Sequence, residues 1–237
     1  MRKIDVCLSP ELVGSFDLSG KLVVVVDILR ATTCMVTALA HDVAQILPVA
    51  TLEECQPYCQ RDGFVTAGER NGIQLAWMDL GNSPLAYTSG DYAGKTVVMS
   101  TTNGTLALDR SRAADQVIVG AFVNLKAVTE YVKAQSRDVL IVCAGWKGMV
   151  NLEDSLFAGA LVDRVEGEFQ HETDAPLVVQ LMYRQAAADL SGTVYRSAHV
   201  RRLHNLGIKD DIDFCLTPSL FSLIPVLQGA ALVPLSD

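Results

Sequence analysis

Residues 22–33 read LVVVVDILRATT: five apolar residues, four of them valine, run without a break into Asp27 and then into a Thr-containing segment of helical character. A short, uniformly apolar, β-branched run is the pattern of a strand buried on both faces, and Thr residues beyond it mark a helix start. Where a strand feeds directly into a helix, the residues between them stand at the carboxyl edge of the sheet, the edge at which open α/β sheets bind ligands. Asp27, Arg30, Thr32 and Thr33 are therefore placed at such an edge. Similar strand-like runs recur at 4–8, 44–49, 96–99, 116–119 and 139–142, with helical segments at 31–40, 52–60, 105–113 and 125–134 between them. The alternation predicts an α/β fold with a largely parallel or mixed sheet in a three-layer α/β/α arrangement. Further helices are expected at 151–166, 175–188 and 193–205, so the style changes near Gly148. One domain over 1–237, with a subdomain division near 148, accommodates that change. Between Gly68 and Gly94 the periodicity weakens, and Gly72, Gly81, Pro84 and Gly90 punctuate a stretch read as an ordered functional loop.

Half of the 237 residues are hydrophobic, enough to bury a sizeable core. A formal net charge of −8 argues against nucleic-acid binding, which needs a surplus of Lys and Arg on one face. No apolar run approaches the roughly 20 residues of a membrane-spanning helix, so no membrane partner is expected. The six cysteines are scattered through apolar or helical segments, and the N-terminus lacks a signal-peptide layout. Reduced thiols and a cytoplasmic location are expected. The hydrophobic, Gly-poor helices after Asn151 are compatible with a homodimer.

An Asp at a strand end can ligate Mg²⁺, act as a base or act as a nucleophile, and a neighbouring Arg can grip phosphate or sulfonate oxygens with its forked donors. Asp27 and Arg30 fit those roles, with hydroxyls from Thr32 and Thr33; the structural alternative is that Asp27 orients the turn and Thr32 caps the helix. A second strand ends in Ser100, Thr101, Thr102, Asn103 and Gly104, where hydroxyls and helix-start N–H groups suit an anion and Gly104 lets the backbone approach it. A third ends in CAGWKG, in which Gly145 leaves room and Lys147 brings charge. Three strand ends of compatible chemistry favour one shared anion pocket over three unrelated turns. Acidic candidates to complete it are Glu69, followed by Arg70 in GERNG, Asp79 in DLGNSP, and Glu153 and Asp154 in NLEDS, where Asn151 and Asp154 also fit a helix cap. Asn82 and Ser83 can bond a substrate or simply form a turn. Arg196, His199, Arg201, Arg202 and His204 read as a solvated helix face from which one or two residues can reach over the pocket, and 210–213 reads as a charged surface turn.

Several mechanisms lack their residues. There is no Gly-x-x-x-x-Gly-Lys-Ser/Thr loop. Leu29 stands where an aspartyl-phosphatase signature has a second Asp, and Met149 stands where a cysteine phosphatase has its Arg after Cys143. His199 and His204 are five apart, which does not suit a helical zinc motif. Cys143 reads as a packed thiol.

Taken together, LVVVVDILRATT, GERNG, DLGNSP, STTNGT, CAGW…NLEDSLFAGA and SAHVRRLHNLG…DDIDFC, in this order across nearly the whole chain, resemble the 2-phosphosulfolactate phosphatases. The resemblance implies a family-specific α/β fold and Mg²⁺-dependent hydrolysis of 2-phospho-3-sulfolactate, a small anionic phosphoester, to 3-sulfolactate and phosphate. In coenzyme M-producing organisms that reaction serves coenzyme M synthesis. On this reading Asp27, Glu69 and Asp154 hold or orient metal and water, and Arg30 with the turn from Ser100 to Asn103 binds phosphate. Arg30, Arg70 and Lys147 supply cations for a phosphate, a carboxylate and a sulfonate. Asp27 is also a candidate covalent nucleophile. The alternatives are a phosphatase of another phosphorylated hydroxy acid and a noncatalytic anion-binding protein.

Overall fold

A computed structural model of the chain describes residues 1–236. Among them nine strands form: β1 (Ile4–Cys7), β2 (Leu22–Val26), β3 (Gln45–Pro48), β4 (Phe64–Gly68), β5 (Thr96–Ser100), β6 (Gln116–Gly120), β7 (Val139–Cys143), β8 (Pro225–Gln228) and β9 (Ala231–Pro234). They make one mixed, mostly parallel sheet in the order β1-β7-β2-β6-β8-β9-β3-β5-β4. Helices flank it: α1 (Ala31–Ala40), α2 (Leu52–Cys55), α3 (Leu85–Ser89), α4 (Gly104–Arg110), α5 (Leu125–Ala134), α6 (Leu152–Arg164), α7 (Ala175–Ala186), α8 (Leu190–Tyr195), α9 (Ala198–Asn205) and α10 (Lys209–Cys215). None of the helices among the described residues is long and apolar enough to cross a membrane.

Strand β2 is the centre of the first half. It pairs in parallel with β7 on one side and β6 on the other, and all five of its side chains are fully buried. This explains its unbroken apolar run, each buried valine contributing about 1.5–3 kcal/mol. The register sets Val26 beside both Gly120 and Cys143, so Asp27 and Ala144 leave the sheet next to each other. Over this half lies α6, whose Phe157 packs so closely on Gly120 that a Cβ there would come within 2.8 Å of its ring.

Strands β3, β5 and β4 form a second parallel group. The hairpin β8–β9 joins the groups through three successive antiparallel pairings, β6 with β8, β8 with β9 and β9 with β3. Three reversals make the second group run opposite to the first. In a flat sheet their carboxyl ends would then lie at opposite edges. Instead the start of α4, after β5, meets Asp27 and Ala31, after β2, so the sheet curls and the two sets of carboxyl ends converge. Helix α1, buried from Ala31 to Leu39, packs against β6, β8 and β3 and so fills the angle between the groups. The principal core runs from Ile4 to Leu232 and includes residues on both sides of Gly148.

Four local expectations need correction. Phe64–Gly68 is a strand, with Gly68 as its last residue, and the expected loop beyond it contains α3. Segment 52–60 is broken by Pro57 into α2 and a short 3-10 turn. Segment 193–205 divides into α8 and α9 because Ser197 caps a new helix, accepting the Val200 N–H at 3.0 Å. Residues 210–213, expected as a surface turn, belong to α10 and carry a buried Asp211.

Candidate active site

Asp27 is the first residue beyond β2. Its backbone is fixed by Thr32, whose hydroxyl accepts the Asp27 N–H at 2.9 Å and donates to the Asp27 carbonyl at 2.8 Å. Thr33 donates to the Ile28 carbonyl in the same way at 2.9 Å. Both threonines therefore shape the turn. Asp27 Oδ1 receives a long bond of 3.4 Å from the Ala31 N–H, and among the described residues Oδ2 has no partner. Gly104 is what leaves Oδ2 room, since a Cβ there would stand 2.9 Å away. Burial pushes the Asp27 carboxyl up to about 7; His199 and the Ala31 N–H act in the opposite sense, while Glu69 and Glu153 add to the rise.

Asp154 stands behind this turn. Its Oδ1 accepts from the Ile28 N–H at 2.8 Å and its Oδ2 from the Gly145 N–H at 3.0 Å, tying the ends of β2 and β7 to the first turn of α6. Its carboxyl is raised by burial and by Asp27 and Glu153, against the pull of the two amides. Gly145 has φ +58°, and a Cβ there would strike the Met149 carbonyl at 2.4 Å. Glu69, after β4, orders the turn after β5: Oε1 accepts the Thr102 N–H at 3.0 Å and its hydroxyl at 2.8 Å, and Oε2 accepts the Gly72 N–H at 2.5 Å. The Arg70 guanidinium is spent locally, on the Glu69 carbonyl at 2.7 Å and the Ser100 hydroxyl at 3.0 Å. Asp79 is bound to Thr66 at 2.8 Å. The Lys147 amide donates to Asn103 Oδ1 at 3.2 Å, while its ammonium lies 4.8 Å over the Trp146 ring.

The other wall comes from α9, and α10 supplies a partner to Arg30. His199 is buried, with Nδ1 2.5 Å from Glu153 Oε1, and stacks on Trp146 at 6.2 Å between ring centroids. The Arg202 guanidinium lies 4.9 Å over the same ring and donates to the Asn71 carbonyl at 2.9 Å. Its Nε is buried without a partner, and burial lowers its pKa. Arg30 pairs with Asp211, which also accepts the Ser83 hydroxyl at 2.6 Å.

Part of this set lines a narrow cleft that is open to solvent. Of the expected site residues, Asp27, Arg30, Glu69, Asn82, Thr101, Thr102 and Asn103 line it. Thr32, Thr33, Arg70, Ser100, Gly104, Gly145, Lys147 and Asp154 do not; most hold the lining in place through the contacts above. The cleft adds Leu29, Gly72, Trp146, His199, Arg202 and Leu203. The last three share one face of α9, three and four residues apart, a spacing that could have separated His199 and Arg202 from their solvated neighbours. Cys143 is fully buried, which pushes its thiol well up, as suits a packed side chain.

Among the described residues no group of three or more His, Cys, Asp or Glu side chains forms a ready metal cage. Mg²⁺ does not require one, because it is commonly held by one or two carboxylates with waters and substrate phosphate completing the shell. Asp27, with its unshared oxygen at the cleft, fits that description. Asp154, both of whose oxygens accept amides, fits a supporting place.

A family model described as 2-phosphosulpholactate phosphatase matches residues 7–230. The chain belongs to the 2-phosphosulfolactate phosphatase family. Curated relatives include probable 2-phosphosulfolactate phosphatases from Caldanaerobacter subterraneus subsp. tengcongensis, 38% identical over 90% of this chain and 90% of the relative, and Thermotoga maritima, 38% identical over 89% and 90%. A third, from Gloeobacter violaceus, is 37% identical over 98% of each chain. As a member of the 2-phosphosulfolactate phosphatase family the protein is an enzyme of the phosphoric monoester hydrolase class.

Proposed function

We propose that the protein hydrolyses 2-phospho-3-sulfolactate to 3-sulfolactate and inorganic phosphate, with Mg²⁺ held at Asp27. One observation carries this reading beyond family membership: a buried carboxylate with an unshared oxygen opens onto the same cleft as a turn of hydroxyls and two guanidiniums. Thr101 and Asn103 present donors to a phosphoryl group, while Thr102 spends both of its donors on Glu69, which holds the turn in register. Arg202, whose Nε lacks a protein partner, supplies charge for a carboxylate or sulfonate. Arg30 is partly neutralised by Asp211, so it orients more than it attracts. When bound, Mg²⁺ neutralises charge on the phosphoryl oxygens and lowers the barrier to in-line attack. Glu69 also lines the cleft, with both oxygens accepting protein donors, and Asp154 keeps the Asp27 turn and the Gly145 turn together.

Phosphate release from 2-phospho-3-sulfolactate, 2-phospholactate, phosphoglycerate and an aryl phosphate, each with Mg²⁺ and with EDTA, tests the reading. Fast turnover that prefers the sulfonated ester and disappears in EDTA is expected. Preference for another ester would keep the phosphatase and replace the substrate, and no turnover of any ester by folded protein would overturn the reading.

A further inference from the structure

Glu153 has no place in phosphate binding, yet it is fully buried, with Oε1 on His199 Nδ1 and Oε2 without a partner among the described residues. A buried carboxylate with an unsatisfied oxygen is costly, and a helix position facing the core would be served better by an apolar residue. His199 is equally unusual, because it is buried on a helix whose neighbours Arg201 and His204 are exposed. An ionised Glu153 can only accept, which places a hydrogen on Nδ1 and fixes the ring. Trp146 fixes the same ring from its face. Nε2 is then the nitrogen left for the cleft that His199 lines, and it has a hydrogen to give in the imidazolium form, in which both ring nitrogens are donors.

Taking the cleft as the phosphatase site proposed above, we infer that His199 is the catalytic acid that protonates the leaving oxygen, and that Glu153 is its positioning residue. The alcohol of a hydroxy acid is a poor leaving group, and in a loose phosphoryl-transfer transition state negative charge gathers on its oxygen. A donor there contributes more than one at the attacking water. The water oxygen forms the new bond to phosphorus as the ester P–O bond breaks. The electron pair of that bond goes to the leaving oxygen, which takes the proton on Nε2. Both hydrogens of the water remain on the phosphate, giving dihydrogen phosphate, and the imidazole regains a proton from solvent.

The test uses the ester that wild type turns over fastest and the same ester fluorinated at the carbon next to the leaving C–O, which makes the alcohol a better leaving group with little change of shape. His199→Gln should lower kcat on the natural ester by about 10²–10⁴-fold and on the fluorinated ester by at least tenfold less. Glu153→Gln, which keeps the hydrogen bond and removes the charge, should show a smaller loss with the same bias. The ratio of the two rates does not depend on how much of a variant is folded, so partial unfolding cannot imitate the result; should His199→Gln not fold, Glu153→Gln carries the comparison. Equal losses on both esters, or no loss, would overturn the acid while leaving the phosphatase intact. A wild type inactive on every ester would overturn the phosphatase reading itself.

Discussion

On the strand-end side of the cleft, carboxylates are tied to backbone amides: Asp154 to Ile28 and Gly145, Glu69 to Thr102 and Gly72, Asp27 to Ala31. On the helical side the bonds that matter join side chain to side chain, Arg30 to Asp211 and His199 to Glu153. The first side inherits its geometry from strand register and short turns, so that Asp154 meets Ile28 across 126 residues because β2 and β7 lie side by side. The second depends on side-chain partners 181 and 46 residues apart. The strand ends should therefore tolerate little chemical change but fold robustly, whereas losses in the cover should appear as instability or altered substrate binding.

The largest expected effect tests the strand-end side. Asp27→Asn should lower kcat by about 10⁴-fold or more while the circular dichroism spectrum stays native, because the metal-holding oxygen is lost and the fold is not. On the other side, Asp211→Ala should destabilise the protein by about 3–5 kcal/mol in urea unfolding, since the buried Arg30 is left unpaired. Replacing both members with apolar residues should cost clearly less than the sum of the single changes.

A smaller effect follows from the raised Asp27 carboxyl. An unfolded Asp titrates near 3.9, and the folded group near 7. Between these values the folded chain keeps a proton that the unfolded chain has released. The stability linked to it is complete below about 3.9 and is lost as pH rises through about 7. In Mg²⁺-free buffer, Asp27→Asn should flatten the fall in stability between about pH 4 and 8 by on the order of 4 kcal/mol; an unchanged slope would show that Asp27 is not the titrating group. The smallest effect contrasts two cations on one ring. Arg202→Ala should raise KM about tenfold, whereas Lys147→Ala should change kcat/KM by less than about threefold, because only Arg202 lines the cleft.

The same contrast explains what could be read from the sequence. The LVVVV run, the polar strand ends and Gly104 each carry a local signal, so the strand-end half of the site and the α/β class follow from them. Residues Arg196 to His204 carry only the three-and-four spacing of His199, Arg202 and Leu203, and a helix rich in Arg and His looks solvated until another segment covers one face. Burial of Asp211 depends on Arg30 and Ser83, far away in sequence. The hairpin β8–β9, bounded by Pro225 and Pro234, escaped for a related reason: its role is to reverse the sheet between two parallel groups, and only the topology reveals it. Thr32 and Asp154 had legible positions, but whether their oxygens face ligand or backbone is decided by tertiary contacts.

The most direct measurement is kcat/KM for phosphate release from 2-phospho-3-sulfolactate, with Mg²⁺ and with EDTA, in wild type, Asp27→Asn and Arg202→Ala. A single cleft built from both sides predicts Mg²⁺-dependent turnover that collapses in Asp27→Asn and shows a KM-led loss in Arg202→Ala. Turnover that survives EDTA, or is indifferent to both substitutions, would contradict it.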